Sequence, residues 1–211
     1  MWYLKSKGAI FEVNTKTALN YGSDFKHLPT VLTAAEQQIL LDGPNKKTPT
    51  GLRNHLIMLY FLNLGLRVSE AVNLKVDHID WSSGKINIMA SKNDKDRVLW
   101  LKDRILELSK RWLNLRPSVS DYLFCTLQGG QLKDRYIREF VSRYARKGGI
   151  KKRVHPHCLR HTFATDLLRE AKDIRLIQKA LGHASIATTM IYTHIVDDRL
   201  ENALKHLREV E

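Results

Sequence analysis

The sequence is poor in cysteine and lacks a long apolar run, and each shortage excludes a class of protein. Its 211 residues include two cysteines, Cys125 and Cys158, too few for the disulfide framework of a small secreted domain. A reduced intracellular compartment fits better. No apolar stretch approaches the ~20 residues of a membrane-spanning helix, and the N-terminus lacks the apolar centre of a signal peptide. We therefore expect a cytoplasmic protein with no membrane segment.

Acidic residues are also scarce relative to basic ones. Lys and Arg total 35 against 22 Asp and Glu, a formal net charge of +13, and the basic residues are spread over the whole length. That distribution indicates a folded basic surface rather than a charged tail. Nucleic acid is the first candidate partner and an acidic membrane surface the second. Hydrophobic residues make up 43% of the chain, enough for the core of one sizeable domain.

Capping and periodicity signals predict a mainly α domain with one small antiparallel β-sheet, an α+β fold. Residues 1–28 are interpreted as an N-terminal arm or linker, and residues 29–211 as the domain. Thr33 and Glu36 form a capping box at the start of the first helix, and Gly65 stops a long apolar helix that should be buried. Helices are predicted at about 34–41, 52–64, 69–74, 103–115, 134–147, 158–170, 173–181, 185–191 and 198–209, and strands at 85–90 and 97–101.

Two stretches near the C-terminus hold the residue types needed to cleave a phosphodiester without a metal. His157 and Arg160 are three residues apart and share a helix face, and Tyr192 follows His183 by nine residues. A tyrosine hydroxyl of pKa ~10 must lose its proton to attack phosphorus. The charge that gathers on the phosphate oxygens suits the paired donors of arginine, and the leaving 5′ oxygen needs a general acid. Arg67 follows a helix stop far upstream, where its side chain can project into a cleft.

In order and spacing, these residues resemble the catalytic signature of the tyrosine recombinases, the phage-integrase family. The resemblance runs from about residue 28 to about residue 207 and rests on four motifs. A lone His-x-x-Arg would be a weak signal, whereas four motifs in order are specific. The motifs are Arg67 with Ser69-Glu70, then His157-x-x-Arg160-His161, then Leu181-Gly182-His183, and finally Tyr192-Thr193-His194.

The resemblance implies the fold of a recombinase catalytic domain and a role for each residue. Tyr192 would be the nucleophile, which forms a 3′-phosphotyrosyl link with DNA. Arg67 and Arg160 would clamp the scissile phosphate. His183 would form a hydrogen bond with the same phosphate.

Proton transfer falls to two further residues under the same resemblance. His157 would assist removal of the proton from the tyrosine, and Lys92, at the tip of the predicted hairpin, would protonate the departing 5′ hydroxyl. Lys95 lies three residues further on and stays an alternative general acid. Glu70 fits the acidic position after the first arginine and would support the site rather than react. His161 is interpreted as a core residue or a support for the site.

No metal or other cofactor is implied, because the phosphotyrosine bond conserves the energy for rejoining. A zinc site is the competing interpretation of the cluster His155, His157, Cys158 and His161. Closed zinc sites use paired ligands, such as Cys-x₂-Cys with a second pair. The sequence offers no obvious second pair, so no metal ligands are predicted.

The function implied is site-specific recombination, in which double-stranded DNA is cut and rejoined to integrate, excise or invert a segment. The implied assembly is a tetramer on a specific DNA site, weakly associated or monomeric without it, with accessory DNA-bending proteins as further candidate partners. A type IB topoisomerase shares the chemistry, and a catalytically idle DNA-binding regulator is a third hypothesis. The Leu-Gly-His and Tyr-Thr-His contexts favour the recombinase, and the intact set of reactive residues argues against the regulator.

The sequence leaves two questions open, the mode of DNA binding at the N-terminal end and the role of the C-terminal segment. Most members of the family carry an N-terminal helical domain that clamps the other face of the duplex, whereas about 28 residues precede the catalytic part here. A compact recombinase or a fragment would account for this. Binding from one side should be weak and sensitive to salt. The amphipathic segment 198–209 either packs on its own core or docks into a neighbouring protomer.

Overall fold

The computed structural model describes residues 29–89 and 95–193, and these residues form a mainly helical domain with one two-stranded antiparallel sheet. The predicted fold class is confirmed. The predicted arm 1–28, the hairpin tip with Lys92 and the predicted helix 198–209 lie outside the described residues. In chain order the elements are α1 (Ala34–Asp42), α2 (Pro49–Leu64), α3 (Val68–Asn73), a 3₁₀ turn (Val76–His78), β1 (Lys85–Ile88), β2 (Arg97–Trp100), α4 (Asp103–Leu115), α5 (Asp134–Lys147), α6 (Pro156–Ala171), α7 (Ile174–Leu181) and α8 (Ala187–Met190).

Helix α2 runs through the core because nearly all its sides are apolar. The Thr48 side chain caps its N-terminus by accepting a hydrogen bond from the Gly51 N–H, and Pro49 occupies the first turn, where its missing N–H leaves no bond unmade. Gly65 ends the helix in the left-handed region, with φ 59°. The helix packs against α4 and α6, so the predicted buried helix is confirmed.

The capping box predicted for α1 is confirmed, and it lies beside a contact with α6. The Thr33 N–H donates to Glu36 Oε2 at 2.8 Å, and the Glu36 N–H donates to Thr33 Oγ1 at 3.2 Å. One residue earlier, the Leu32 N–H donates to Thr162 Oγ1 at 3.0 Å. The start of α1 is therefore fixed to the middle of the helix that carries the His-x-x-Arg motif.

The two strands form the predicted hairpin with shorter strands than expected. Lys85 pairs with Trp100 and Ile88 pairs with Arg97. Alternate residues of β1 are buried, which places one face of the hairpin on the core. Arg97 shares that face as the cross-strand neighbour of Ile88, and it is 6% exposed.

Helices α6 and α7, together with Tyr192 just after α8, form a second apolar cluster at the end of the described chain. Helix α6 begins two residues before its predicted start because Pro156 is suited to the first turn. Helix α8 is shorter than the predicted segment 185–191. None of the helices in the described part of the chain is long and apolar enough to cross a membrane. The cluster consists of Phe163, Ala164, Leu168, Ile177, Ala180, Leu181 and Tyr192.

Candidate active site

Arg67 is positioned by a turn between α2 and α3 that requires glycine. A Cβ on Gly65 would lie 2.3 Å from Cδ1 of Phe163, and the positive φ also disfavours any other residue. The Arg67 N–H donates to Glu70 Oε2 at 2.7 Å, and Arg67 Nη1 lies 3.5 Å from Glu70 Oε1. Because the Arg67 side chain is still 24% exposed, a phosphate arriving from solvent can reach it.

Arg160 is buried in α6 and joins the ends of two other helices. Its side chain is 4% exposed. The guanidinium donates to the backbone oxygen of Gly65 and, at 2.8 Å, to that of Leu181. Burial, followed by the charge of Arg67, lowers the pKa of Arg160 to about 10, so the group is still charged at neutral pH. Its position is set by the backbone on both sides of the site.

Glu70 supplies the negative charge around which three arginines gather. Its carboxylate oxygens accept hydrogen bonds from Arg97 Nη1 and Nη2, both at 2.8 Å, and Arg160 Nη1 lies 3.8 Å from Oε2. Burial alone would raise the pKa of Glu70, but the hydrogen bonds and charge of Arg97 with the Arg67 N–H bring it below its usual value. Glu70 is therefore ionised. The excess positive charge of the three arginines suits a bound phosphate.

Arg97 is a member of this site that sequence analysis missed. Its side chain is 3% exposed, although it begins an ordinary-looking strand. The available signal was its register, because an arginine on the inward face of a hairpin needs a buried partner. Only the fold shows that the partner is Glu70, 27 residues earlier in the chain.

His183 follows the end of α7 and contacts Arg160. Gly182 ends the helix with φ 70°, as its predicted cap position requires. His183 Nε2 lies 3.2 Å from Arg160 Nη2, and His183 Nδ1 lies 3.0 Å from Thr189 Oγ1. A guanidinium can only donate, so Nε2 accepts from Arg160 and Nδ1 carries the proton that faces Thr189. The imidazole of His183 is thus neutral in this arrangement.

Tyr192 lies in the apolar cluster, with its hydroxyl against His161. The residue is 1% exposed, and His161 Nδ1 lies 2.9 Å from the tyrosine oxygen. Burial raises the pKa of Tyr192, and the charges of Arg160 and Arg67 oppose that rise. The charges of the two arginines thus favour the ionised form of the hydroxyl, against the effect of burial. The sequence assigned proton transfer to His157, whereas the described contact belongs to His161.

His157 is exposed on the same side of α6 as His161, one turn earlier. Its ring centroid is 6.4 Å from that of His161. Burial, followed by the charge of Arg160, lowers the pKa of His157, and Arg67 and Arg138 also contribute. His157 therefore lies within the positive field of Arg160 and Arg67, and its side chain is open to solvent.

Of the two candidate general acids, the structure describes Lys95 but not Lys92. Lys92 lies outside the described residues, so its predicted role stays a prediction. Lys95 is exposed, and its backbone N–H donates to the Gly182 oxygen at 3.4 Å. The base of the hairpin therefore lies against the turn that precedes His183.

No group of three or more His, Cys, Asp or Glu side chains able to hold a metal occurs among the residues described. The Cys158 thiol donates to the Arg153 backbone oxygen at 3.4 Å, so the cysteine of the histidine-rich motif already has a hydrogen-bond partner.

The five described members of the predicted site, together with Glu70, Arg97 and His161, form one continuous set of contacts and charges. The five are Arg67, His157, Arg160, His183 and Tyr192.

This fold and this set of residues define the class of the tyrosine recombinases. The model of the phage integrase family matches residues 30–199. The chain belongs to the phage integrase family, as the motifs predicted.

Three similar proteins show the extent of the relationship. Tyrosine recombinase XerC of Thermodesulfovibrio yellowstonii is 34% identical over 99% of this chain and 69% of its own length. The crystal structure of XerA recombinase is 35% identical with a TM-score of 0.74, over 88% of this chain and 67% of that one. XerH site-specific recombinase in a post-cleavage complex with a palindromic difH substrate has the same identity and TM-score, over 85% of this chain and 54% of that one. The chain thus spans roughly half to two thirds of the length of these relatives.

Proposed function

We propose that this chain cuts and rejoins DNA at a specific site through a covalent 3′-phosphotyrosyl link at Tyr192. The observation that carries the proposal is the contact of the Tyr192 hydroxyl with His161 on α6, the helix whose Arg160 shares Glu70 with Arg67. Both arginines lie within 4 Å of the ionised carboxylate of Glu70. A cationic site that is fixed before substrate arrives is the arrangement that stabilises a phosphorane-like transition state best.

Each predicted residue has a proposed part in the reaction. The partly exposed Arg67 and the buried Arg160 bind the nonbridging oxygens of the scissile phosphate. His183 binds the same phosphate through Nε2, once that nitrogen takes up a proton and exchanges its contact with Arg160 for one with the phosphate. His157 assists proton transfer at the tyrosine, and Lys92 protonates the departing 5′ oxygen.

Double-stranded DNA is the proposed partner, and the basic face of α5 extends the site toward it. Helix α5 carries exposed arginines, and the charge of one of them, Arg138, contributes to lowering the pKa of both His155 and His157. Arg138 therefore brings positive charge close to the histidines of the site, and a basic helix in that place suits contacts with a phosphate backbone. The XerH relative is bound to a DNA substrate, which supports the same partner here.

The proposed assembly is a tetramer on two DNA sites, weakly associated or monomeric without DNA. We also propose that residues 29–211 form the catalytic domain and residues 1–28 an arm or linker. Integration, excision and inversion differ in how two sites are arranged in DNA, and the chemistry at Tyr192 is the same for all three.

The test is covalent capture of DNA from a library of duplexes with a randomised central sequence. Protein and library are incubated, denatured in detergent, and the DNA attached to protein is sequenced. We expect an enriched site, with a break whose 3′ phosphate is on Tyr192. Tyr192→Phe should capture nothing, whereas the matched control Tyr122→Phe, outside the site, should capture the same sequences. Adduct that survives in Tyr192→Phe would contradict the proposal.

The captured sequences also separate the two alternative functions. A type IB topoisomerase would relax supercoiled plasmids that lack the enriched site, whereas a recombinase should act only on plasmids that carry it and should exchange strands between two copies. A catalytically idle regulator would bind an enriched site without forming any adduct.

A further inference from the structure

We propose that His161 is the base that takes the proton from Tyr192 during cleavage and returns it during rejoining. The proposal rests on the proposed recombinase function and names a catalytic residue for its first step. It begins from one contact, the 2.9 Å distance between His161 Nδ1 and the tyrosine oxygen. A general base must lie within such a distance of the proton that it removes. The sequence motif marks His157 instead.

The arrangement of rings on α6 explains why His161 is better placed than His157. The centroid of the His161 ring is 5.7 Å from that of Tyr192 and 6.4 Å from that of His157. His155 continues the row, 6.3 Å from His157. His155 and His157 are exposed and His161 is half-buried. His161 therefore contacts the nucleophile, while His157 assists proton transfer from its place beside the His161 ring.

The charge state of His161 fits the role of a base. Burial, followed by the charges of His157, Arg160 and His155, lowers the pKa of His161 to about 4, so its imidazole is neutral at pH 7 and can accept a proton at Nδ1 when Nε2 carries the ring hydrogen. Burial also raises the pKa of Tyr192. Without DNA, the proton therefore stays on the tyrosine.

The proton can move only as the bond to phosphorus forms. The phenol oxygen becomes strongly acidic as it shares electrons with phosphorus, and the negative charge of the bound phosphate raises the proton affinity of the nearby imidazole. Both changes favour transfer in the transition state. An enzyme with no DNA bound thus keeps a neutral, unreactive tyrosine, although the base is already in contact with it.

The step balances without any further reactant. The O–H bond of Tyr192 breaks, its proton goes to His161 Nδ1, and the electron pair forms the bond to phosphorus. The bond from phosphorus to the 5′ oxygen breaks, and that oxygen leaves with its electron pair and receives a proton from Lys92. In rejoining, the 5′ hydroxyl attacks phosphorus and the imidazolium of His161 returns its proton to Tyr192.

The discriminating variant is His161→Asn. The Asn side-chain oxygen can take the place of Nδ1 and hold the tyrosine hydroxyl, but it cannot accept a proton. The measurement is the single-turnover rate of adduct formation on the captured site. We expect a loss of about 10²–10⁴-fold, the usual contribution of a general base, with unchanged DNA binding. Replacing Tyr192 by a fluorinated tyrosine, whose hydroxyl is more acidic, should restore much of the rate in His161→Asn. It should not do so in the matched variant His157→Asn.

Three outcomes would overturn the proposal. A His161→Asn variant as fast as the unsubstituted protein would show that a hydrogen bond is enough and that no proton is taken. Rescue by fluorinated tyrosine in His157→Asn but not in His161→Asn would assign the base to His157. If His161→Asn does not fold, the cleavage rate of His157→Asn is measured as a function of pH. Loss of the usual fall in rate at low pH would assign the base to His157. A fall in rate that is retained supports His161. Absence of any adduct with the unsubstituted protein would instead contradict the proposed function itself.

Discussion

Glu70 and Arg97 form a two-bond ion pair, with both nitrogen–oxygen distances at 2.8 Å, between side chains that are 1% and 3% exposed. The pair joins α3 to the start of β2. On one side, Glu70 accepts the N–H of Arg67. On the other, the hairpin leads to Lys92, five residues before Arg97 in the chain. The proposed phosphate clamp and the base of the hairpin thus share one buried connection.

Arg97→Met should be strongly destabilising because it leaves the Glu70 carboxylate buried without its main partner. Removal of one member of a buried pair typically costs about 3–5 kcal/mol, which chemical denaturation would measure. Adding Glu70→Gln should recover part of that loss, since the unpaired charge is then gone. The control is Arg135→Met, which breaks an exposed pair with Glu139 and should leave the denaturation midpoint unchanged. Equal losses in the single and double variants would contradict this account.

Comparison of Gly182→Ala with Gly149→Ala separates two effects of an added Cβ: backbone strain, which both variants share, and a steric contact with the hairpin, which only Gly182→Ala has. Both glycines have a positive φ, 70° and 76°, and alanine there costs roughly 1–2 kcal/mol. A Cβ on Gly182 would also lie 3.0 Å from the Lys95 backbone oxygen and 3.2 Å from Arg97 Nη1, whereas nothing lies within 4 Å of one on Gly149. We expect similar losses of thermal stability from the strain, but loss of adduct formation only in Gly182→Ala. A fully active Gly182→Ala would show that the hairpin base and the His183 turn are not coupled.

Acid should destabilise the fold through His161 in a defined pH window. Burial lowers the pKa of His161 from 6.5 to about 4, so the unfolded chain binds this proton more readily than the folded one. Stability is therefore complete above pH 6.5 and falls as the pH drops toward 4. The full effect is at most about 3 kcal/mol, and solvent around the half-buried ring reduces it. Unfolding free energies measured from pH 4 to pH 8 should fall less steeply in His161→Asn. An unchanged slope would contradict the lowered pKa.

Lys92 and Lys95 can be separated as general acids with a sulfur-substituted DNA. A bridging sulfur in place of the scissile 5′ oxygen leaves without needing a proton, because a thiol is far more acidic than an alcohol. Lys92→Ala should slow cleavage of normal DNA and cleave the sulfur substrate at the unsubstituted rate. Lys95→Ala should behave like the unsubstituted protein on both. The opposite pattern, with rescue confined to Lys95→Ala, would transfer the role to Lys95.

Local signals accounted for most of the secondary structure. The capping box of α1, the proline and glycine at the two ends of α2 and the glycine after α7 act through neighbours within four residues. The ends of these helices can therefore be predicted from the sequence without knowledge of the fold. The observed strands and α8 are shorter than predicted, because pairing and packing with distant residues decide where such short elements end.

The sequence by itself determined the reaction class, because the spacing of Arg67, His157, Arg160, His183 and Tyr192 identifies the phage integrase family without coordinates. It did not indicate Arg97 as the partner of Glu70 or His161 as the partner of Tyr192. Those contacts join residues 27 and 31 positions apart on different elements, and hydrogen bonding depends on a few tenths of an ångström. Only the packing of α6, α8 and the hairpin against α7 in the folded chain sets such distances, and so decides which histidine touches the tyrosine.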